Sequence, residues 1–338
     1  MEKMTIGCAL TTYNSNAYLE QQLETLVKQL HPFDEVIIVD DASSNDTVDR
    51  LHQFIDEHHL DHWKVFRHEQ NCGFIQTFQD ALAYSNSDLL FLCDHDDLWN
   101  PNKTQVMLEQ FMTQPKTQVL ACSFNLVDEK GELIEDELMN NRANHNLIRR
   151  SVESGKLNEM FMQDILRYNF APGCTIALKK EIAQEYLEMI SKQQQSVSNT
   201  EENIILSLPH DWAISVLGAV HEGLYYLDQP LMGYRQHANN TLGMTRRHDY
   251  ADRLKAAKLE AKQKQALAAI IDQKGSSKQK EHIHQVKTLY EKRVKALENK
   301  NLFLLGWMLL TTWRQWKEGM FLTLGLDMKT TLFSFVGL

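Results

Sequence analysis

The sequence predicts an α/β protein on a mostly parallel central sheet with helices on both faces, and three observations carry that prediction. Short apolar runs without alternation recur at Met4–Leu10, within Glu35–Asp41 and at Leu89–Cys93, as expected of strands buried on both faces. Segments with apolar residues at helical spacing separate them over short connections, the rhythm of parallel β-α-β units. Each run also ends in polar or acidic residues: Thr12-Tyr13-Asn14, Asp40-Asp41 and Asp94-His95-Asp96-Asp97. Open sheets of this kind bind ligands beyond the carboxyl ends of their strands, so these ends are expected to converge on one site.

Taken in order, the strand Met4–Leu10 precedes a helix with Asn16 as its expected N-cap and Leu19, Leu23, Leu26, Val27 and Leu30 on one face. After His31-Pro32 comes the strand Glu35–Asp41, and Ala42–Asp46 forms a turn capping a helix that runs to His58. Trp63–His68 is a short strand, Gly73 a turn residue and Phe74–Ala83 a helix. Beyond Leu89–Cys93, Pro101 opens a helix to Met112, because its missing N–H costs nothing in a first turn. Val119–Val127 is a strand with a hairpin-like turn at Asp128–Glu132; residues 136–156 are polar and aperiodic, as in a mobile loop. Leu157–Leu166 reads as a helix and Thr175–Leu178 as a strand, while residues 193–203 read as a disordered polar insertion. Pro209 opens the apolar helix Ala213–Val220, and the strand Leu224–Leu227 leads to Pro230–His237. From Tyr250 two Ala/Lys/Glu-rich helices flank a breaker at Gly275-Ser276-Ser277. The segment Leu302–Leu326 then aligns Leu302, Leu305, Leu309, Trp313, Trp316, Met320 and Leu324 on one helical face, beside Arg314 and Lys317.

With 338 residues, 43% of them hydrophobic, the chain can bury one large core or two smaller ones. The expected division is a catalytic domain over 1–245 and a basic, amphipathic helical region over 246–338. Five scattered cysteines without a CxxC pair, and an apolar run starting near Met4 with no signal-peptide pattern, point to a reduced, cytoplasmic setting. No stretch reaches the ~20 apolar residues that span a bilayer. The net charge of −10 is uneven: residues 251–300 hold 13 Lys/Arg against 6 Asp/Glu and residues 301–338 hold 3 against 2, leaving −18 on the first 250. An acidic body argues against nucleic acid as its partner, and the basic region suits an anionic one.

Asp94, Asp96 and Asp97 place three like charges within four residues, which repel unless a cation or donor network gathers them. A hard divalent metal on oxygen ligands is the simplest reason for such an arrangement. A solvated acidic loop is the bland alternative, and the apolar strand before it speaks against that.

Together, Thr12-Tyr13-Asn14, Val39-Asp40-Asp41-Ala42-Ser43, Asn71-Cys72-Gly73 and Asp94-His95-Asp96-Asp97 resemble glycosyltransferase family 2, the inverting enzymes of GT-A fold. Asn169–Thr175, His210-Asp211-Trp212 and Tyr234–Asn240 resemble its bacterial rhamnosyltransferase branch. The resemblance covers residues 4–245 and implies a Rossmann-like GT-A domain followed by the helical C-terminal region. It implies that Asp41 accepts a hydrogen bond from a pyrimidine base lined by Thr12 and Tyr13, with Asn14, Asn71 and Gly73 in the same nucleotide-sugar site. Asp94 and Asp96 then meet the donor, Asp96 and Asp97 hold Mg2+ or Mn2+, and His95 is a neutral neighbour. Asp211 is the implied general base, Arg235 a diphosphate-binding residue and His237 a metal ligand. The implied donor is dTDP-L-rhamnose, or another nucleotide sugar such as a UDP-hexose, and the acceptor a saccharide or a polyprenyl-diphosphate-linked sugar of a cell-surface polysaccharide. Ala171-Pro172 and His95 depart from the usual pattern and bear on sugar fit.

An aspartyl phosphotransferase also uses Asp-x-Asp, but usually on its first strand with Thr or Val two residues later, where Leu98 stands here. A receiver domain would be about a third of this length. A non-catalytic sugar-nucleotide binder would have no need of Asp211. The basic region is expected either to touch the inner face of the plasma membrane peripherally or to form a homodimer.

Overall fold

Ile6–Thr12, seven buried residues, form β1 at the centre of the sheet in the computed structural model. The structure describes residues 4–15, 18–134, 147–148, 150–196, 204–237, 249–312 and 320–336. The chain divides into two compact units, Met1–Asn240 and Thr241–Leu338.

In the first unit β1 is followed by α1 (Leu19–Val27), β2 (Glu35–Asp40), α2 (Thr47–Glu57), β3 (Trp63–Arg67), α3 (Phe74–Tyr84), β4 (Leu89–Cys93), β5 (Leu98–Trp99), α4 (Lys103–Thr113) and β6 (Val119–Val127). Then come β7 (Leu157–Glu159), α5 (Met162–Ile165), β8 (Ile176–Lys179), α6 (Lys180–Ser196), α7 (His210–Val220) and β9 (Leu224–Arg235). The sheet order is β3-β2-β1-β4-β8-β6-β9-β5, with β7 also on β9. The first four strands are parallel, Ala9 lying between Ile37 and Leu92. β8 pairs antiparallel with both β4 and β6, so the sheet is parallel on one side and mixed on the other. Because β2 and β4 flank β1 on opposite sides, the connections diverge at β1 and leave a crevice beyond its carboxyl end. Alternate strand residues such as Cys8, Val36 and Phe91 pack with Leu23, Leu51 and Met107 of α1, α2 and α4, while α3, α6 and α7 pack on one another and on strands of the sheet.

Two expectations about strands change. Leu157–Leu166 is not one helix: Leu157–Glu159 pairs with β9, and only Met162–Ile165 is α-helical. The reason is Asn158, whose buried amide donates to the carbonyls of Glu153 and Lys156 and accepts from the Glu153 N–H, fixing an extended chain. β9 is one twelve-residue strand, continuing past Pro230 because β-bulges opposite Ser123 absorb the irregularity. Asp128–Glu132 does turn as a hairpin, with Gly131 at φ 86°. The Asn16 cap and most of residues 136–149 and 197–203 lie outside the described residues, whereas residues 193–196 continue α6.

The second unit holds α8 (Tyr250–Lys274), α9 (Ser277–Glu298), α10 (Leu302–Thr312) and α11 (Met320–Val336). Ser276 caps α9 reciprocally with Gln279, turning the chain back on α8. Leu302–Leu326 spans parts of two described helices, with Leu305 and Leu324 buried, while Trp313, Arg314, Trp316 and Lys317 lie outside the described residues. Between α8, α9 and α11 the buried Asp327 accepts from Arg253 Nε at 2.5 Å and Arg293 Nε at 2.6 Å, and Arg293 also bonds Glu260. Among the described residues no helix is long and apolar enough to cross a membrane.

Candidate active site

The two acids ending β2 have different tasks. Asp40, fully buried, accepts from Thr12 Oγ1 at 2.8 Å and from the N–H and hydroxyl of Ser43, which ties β1 to the turn after β2. Ala42 (φ 58°) in this turn and Asn14 (φ 45°) after β1 adopt left-handed backbone, and Asn14 braces the turn through Ser43 and Ser44. Asp41 faces the loop after β3: it accepts from the N–H groups of Cys72 (2.7 Å) and Gly73 (2.8 Å), and contacts His68 Nδ1 at 2.9 Å. Gly73 holds φ 84°, a backbone that suits glycine, and its N–H thereby reaches Asp41 as α3 begins. Asn71 donates to the Asp41 carbonyl at 3.4 Å, and Tyr13 stands half exposed at the rim. A cavity of about 570 Å³ lined by His68, Gln70, Cys72 and Asp80 adjoins Asp41.

Beyond β4 the chain turns through the acidic cluster. Asp97 is buried; its Oδ1 accepts from the Arg235 N–H at 3.2 Å and its Oδ2 has no hydrogen-bond partner. Burial, then the neighbouring Asp96 charge, pushes its carboxyl up to about 7. Asp94 is pushed well above the usual carboxylate range by burial and by Asp97, Asp96 and Asp211. Asp96 Oδ2 lies 2.8 Å from His237 Nε2. Burial pulls the His95 imidazole below its ordinary value, leaving it neutral at pH 7. Two buried cations stand by the cluster. Lys103 Nζ donates to the Cys174 carbonyl at 2.5 Å and sits 3.3 Å from the Trp99 ring centre. Arg235 donates to the carbonyls of Asp96 and Glu129 and to Gln21, with its guanidinium over Tyr18.

The carboxylates of Asp94 and Asp97 fit a hard divalent cation, whereas the Cys174 thiol beside them is a soft group that burial keeps protonated. Burial and the charges of Asp97 and Asp96 hold the Asp94 carboxyl above its usual range, one buried Asp97 oxygen lacks a donor, and ligand atoms of Asp94, Asp97 and Cys174 lie within 4.8 Å of one another.

Asp211 enters from the other side, in the first turn of α7 after the extended Pro209. It accepts from the Trp212 N–H at 2.6 Å, and from the Gly173 N–H and Asn169 side chain. Burial outweighs these donors and raises its carboxyl to about 6, in the range where a carboxylate can exchange protons near neutrality. Its neighbour His210 stacks on Phe78 at 3.9 Å with both ring nitrogens unpartnered; burial pulls it down to about 3.

Hydrogen bonds thus gather Thr12, Asn14, Asp41, Asn71 and Gly73 around the turn after β2, with Tyr13 beside Asn14 in the chain, while Asp94, Asp96, Asp97, Arg235 and His237 meet around the loop after β4, with Asp211 electrostatically linked to Asp94. Sequence reasoning missed Lys103, His68 and Gln21. Lys103 stands four residues after Trp99 in the sequence, and only the fold brings its ammonium over that ring.

Residues 8–187 match the profile of the family described as Glycosyl transferase family 2. Over half of the chain is matched, and the protein belongs to glycosyltransferase family 2. Among curated relatives, dTDP-rhamnosyl transferase RfbG of Shigella flexneri is 23% identical over 69% of this chain and 73% of its own. Protein CgeD of Bacillus subtilis (strain 168) is 25% identical over 42% of this chain and 34% of its own. The chain therefore spans about a third of CgeD's length. Among solved structures, S. aureus TarS 1–349 in complex with UDP superposes with a TM-score of 0.54 at 16% identity, covering 89% of this chain and 74% of that one. Mannosyltransferase PcManGT from Pyrobaculum calidifontis, in complex with GDP-Man and Mn2+, gives 0.54 at 14% identity over 99% and 86%. These likenesses establish the GT-A fold.

Proposed function

We propose that the chain is an inverting, divalent-metal-dependent glycosyltransferase that moves a sugar from a nucleotide donor to a saccharide or polyprenyl-diphosphate-linked acceptor. The observation that carries this is the meeting of an acidic cluster with a separately held carboxylate of raised pKa, Asp211. A binding module would have no use for the latter.

In this reading Asp41 accepts the imide N–H of the base, with Thr12, Tyr13, Asn14, Asn71 and Gly73 shaping the pocket. Asp94 and Asp96 orient the ribose and diphosphate. Mg2+ or Mn2+ held by Asp96, Asp97 and His237 would supply Lewis-acid stabilisation of the departing diphosphate. Asp211 takes the proton of the acceptor hydroxyl as its oxygen bonds the anomeric carbon and the carbon–oxygen bond to diphosphate breaks, inverting that centre. Arg235, spent on Asp96, Glu129 and Gln21, holds the acidic loop in place rather than gripping the diphosphate.

The donor we favour is dTDP-L-rhamnose, supported by the Tyr234–Asn240 and Gly173-Cys174 pattern and by the likeness to RfbG; a UDP-hexose is the alternative. Of the first pattern, Ala238–Asn240 lie outside the described residues. Phe303, Trp307 and Leu310 are exposed on α10 within the basic region, which supports peripheral contact with the cytoplasmic face of the plasma membrane over a homodimer. Incubating the pure protein with a panel of sugar nucleotides and Mn2+, and following nucleotide release, tests the proposal. Release from none of them would refute it.

A further inference from the structure

His68, just after β3, stands between two carboxylates. Its Nδ1 is 2.9 Å from Asp41 Oδ1 and its Nε2 is 2.9 Å from Asp80 Oδ2 on α3. A neutral imidazole has one N–H and serves one acceptor; only the imidazolium donates to both at once. Asp80 is itself steadied, its Oδ1 accepting from Gln76 Nε2 at 3.1 Å. The other charged or titratable groups around His68 are Arg67, Glu69 and Cys72. Arg67 turns to the Ser43 carbonyl (2.7 Å) and Asp40 (3.9 Å), and Glu69 and Cys72 line the cavity beside it. Burial works against a charge on His68, and the two carboxylates outweigh it, leaving its pKa above the ordinary value.

Asp41 meanwhile has little freedom. Its Oδ1 serves His68 and the Cys72 N–H, and its Oδ2 serves the Gly73 N–H. Of roughly four lone-pair positions on a carboxylate, one, on Oδ2, is left for an incoming donor.

We propose that Asp80, His68 and Asp41 form a positioning relay, in which a doubly hydrogen-bonded, cationic His68 aims Asp41 at the imide N–H of a uracil or thymine nucleotide. This rests on the reading of Asp41 as the base contact. His68 and Asp80 touch no substrate; they act through Asp41. When His68 loses its proton one of its two hydrogen bonds is lost, and Asp41 gains freedom to turn away from the base.

Calorimetric titration of the full chain with dTDP and with UDP, in Mg2+, from about pH 6 to about pH 8.5 tests the relay. Affinity should fall about tenfold as pH rises through the His68 pKa, the effect of one charge-assisted hydrogen bond. Asp80→Asn should keep that fall but move it to lower pH, because one of the two carboxylates holding the proton is gone. His68→Gln should bind about tenfold more weakly at the acid end and lose this fall, its residual profile reporting the nucleotide's own ionisation. Superimposable wild-type and Asp80→Asn profiles, or a His68→Gln protein that binds as wild type, overturn the relay. Asp41→Asn separates the two readings. If it binds as wild type at every pH, the base contact itself is wrong; if it alone loses affinity, the base contact stands and the relay falls. Should His68→Gln fail to fold, the imidazole can be titrated directly by NMR in the wild type and Asp80→Asn. An ordinary pKa in the wild type, or the same pKa in both, overturns the relay.

Discussion

Replacing Asp211 by Asn should make this protein more stable and nearly inactive at once. The carboxyl has an ordinary value of 3.8 and is raised to about 6 in the fold, chiefly by burial. The native state therefore holds this proton more tightly than the unfolded chain does. Stability rises as pH falls from about 6 towards 3.8, and above 6 the ionised side chain is a burden. A gap of about two pKa units corresponds to about 3 kcal/mol at pH 7. Asn keeps the size of the side chain and can still accept from the Trp212 N–H, but carries no charge to bury. We expect Asp211→Asn to melt several degrees higher at pH 7, with the gain vanishing near pH 4. General-base catalysis contributes about 10²–10⁴ in rate, or about 3–5 kcal/mol of barrier, so turnover should fall by that factor while nucleotide affinity stays near normal. The wild-type rate should decline on the acid side of about pH 6, where Asp211 is protonated. Thermal melts across pH, a transfer assay and nucleotide titration check all three. Wild-type turnover in the variant, or a lowered melting temperature at pH 7, would refute the reasoning. A residue serving only as a helix cap predicts that second outcome with activity intact.

Three further outcomes are expected. Chelator should abolish transfer and Mg2+ or Mn2+ restore it, and Asp97→Asn should lose metal-dependent nucleotide affinity along with at least 10²-fold in rate; full activity in excess chelator contradicts this. Thermal stabilisation by dTDP-L-rhamnose should exceed that by UDP-glucose or UDP-galactose, and the reverse order would remove the rhamnose assignment. In a vesicle flotation assay the protein should float with anionic lipid, and Phe303→Glu with Leu310→Glu should release it while leaving turnover on a soluble acceptor intact; a wild-type protein that never floats assigns the α10 face to another partner. Substitution is the sound test here, because deleting residues 301–338 would also strip Asp327 from two buried arginines.

In the parallel half of the sheet, β1, β2 and β4 were legible because they are buried on both faces and leave no alternation to misread. Helices α8 and α9 were legible from composition and from the breaker at Gly275-Ser276-Ser277 between them. β7 was not, since three residues carry too little pattern and their extended form depends on Asn158 bonding to neighbouring carbonyls. In the site, the acids announced themselves by their position after apolar strands. Their supporting cations did not: Arg235 reads as a ligand for phosphate until its donors are seen spent on Asp96, Glu129 and Gln21. His68 was invisible because Asp80, its second partner, is twelve residues away and reads as an ordinary helix-surface acid.

The Asp327 junction ties the helical unit to the order of synthesis. Arg253 and Arg293 leave the ribosome 74 and 34 residues ahead of the carboxylate they share. Arg293 keeps Glu260 of α8 as a partner, but burying Arg253 before Asp327 arrives would strand its guanidinium in an apolar interior, at a cost of several kcal/mol. The α8–α9 hairpin can form early, but sealing its inner face must wait for α11. Nascent chains halted before Asp327 should therefore remain open to proteases and chaperones in this unit, while chains that include it close in a single step.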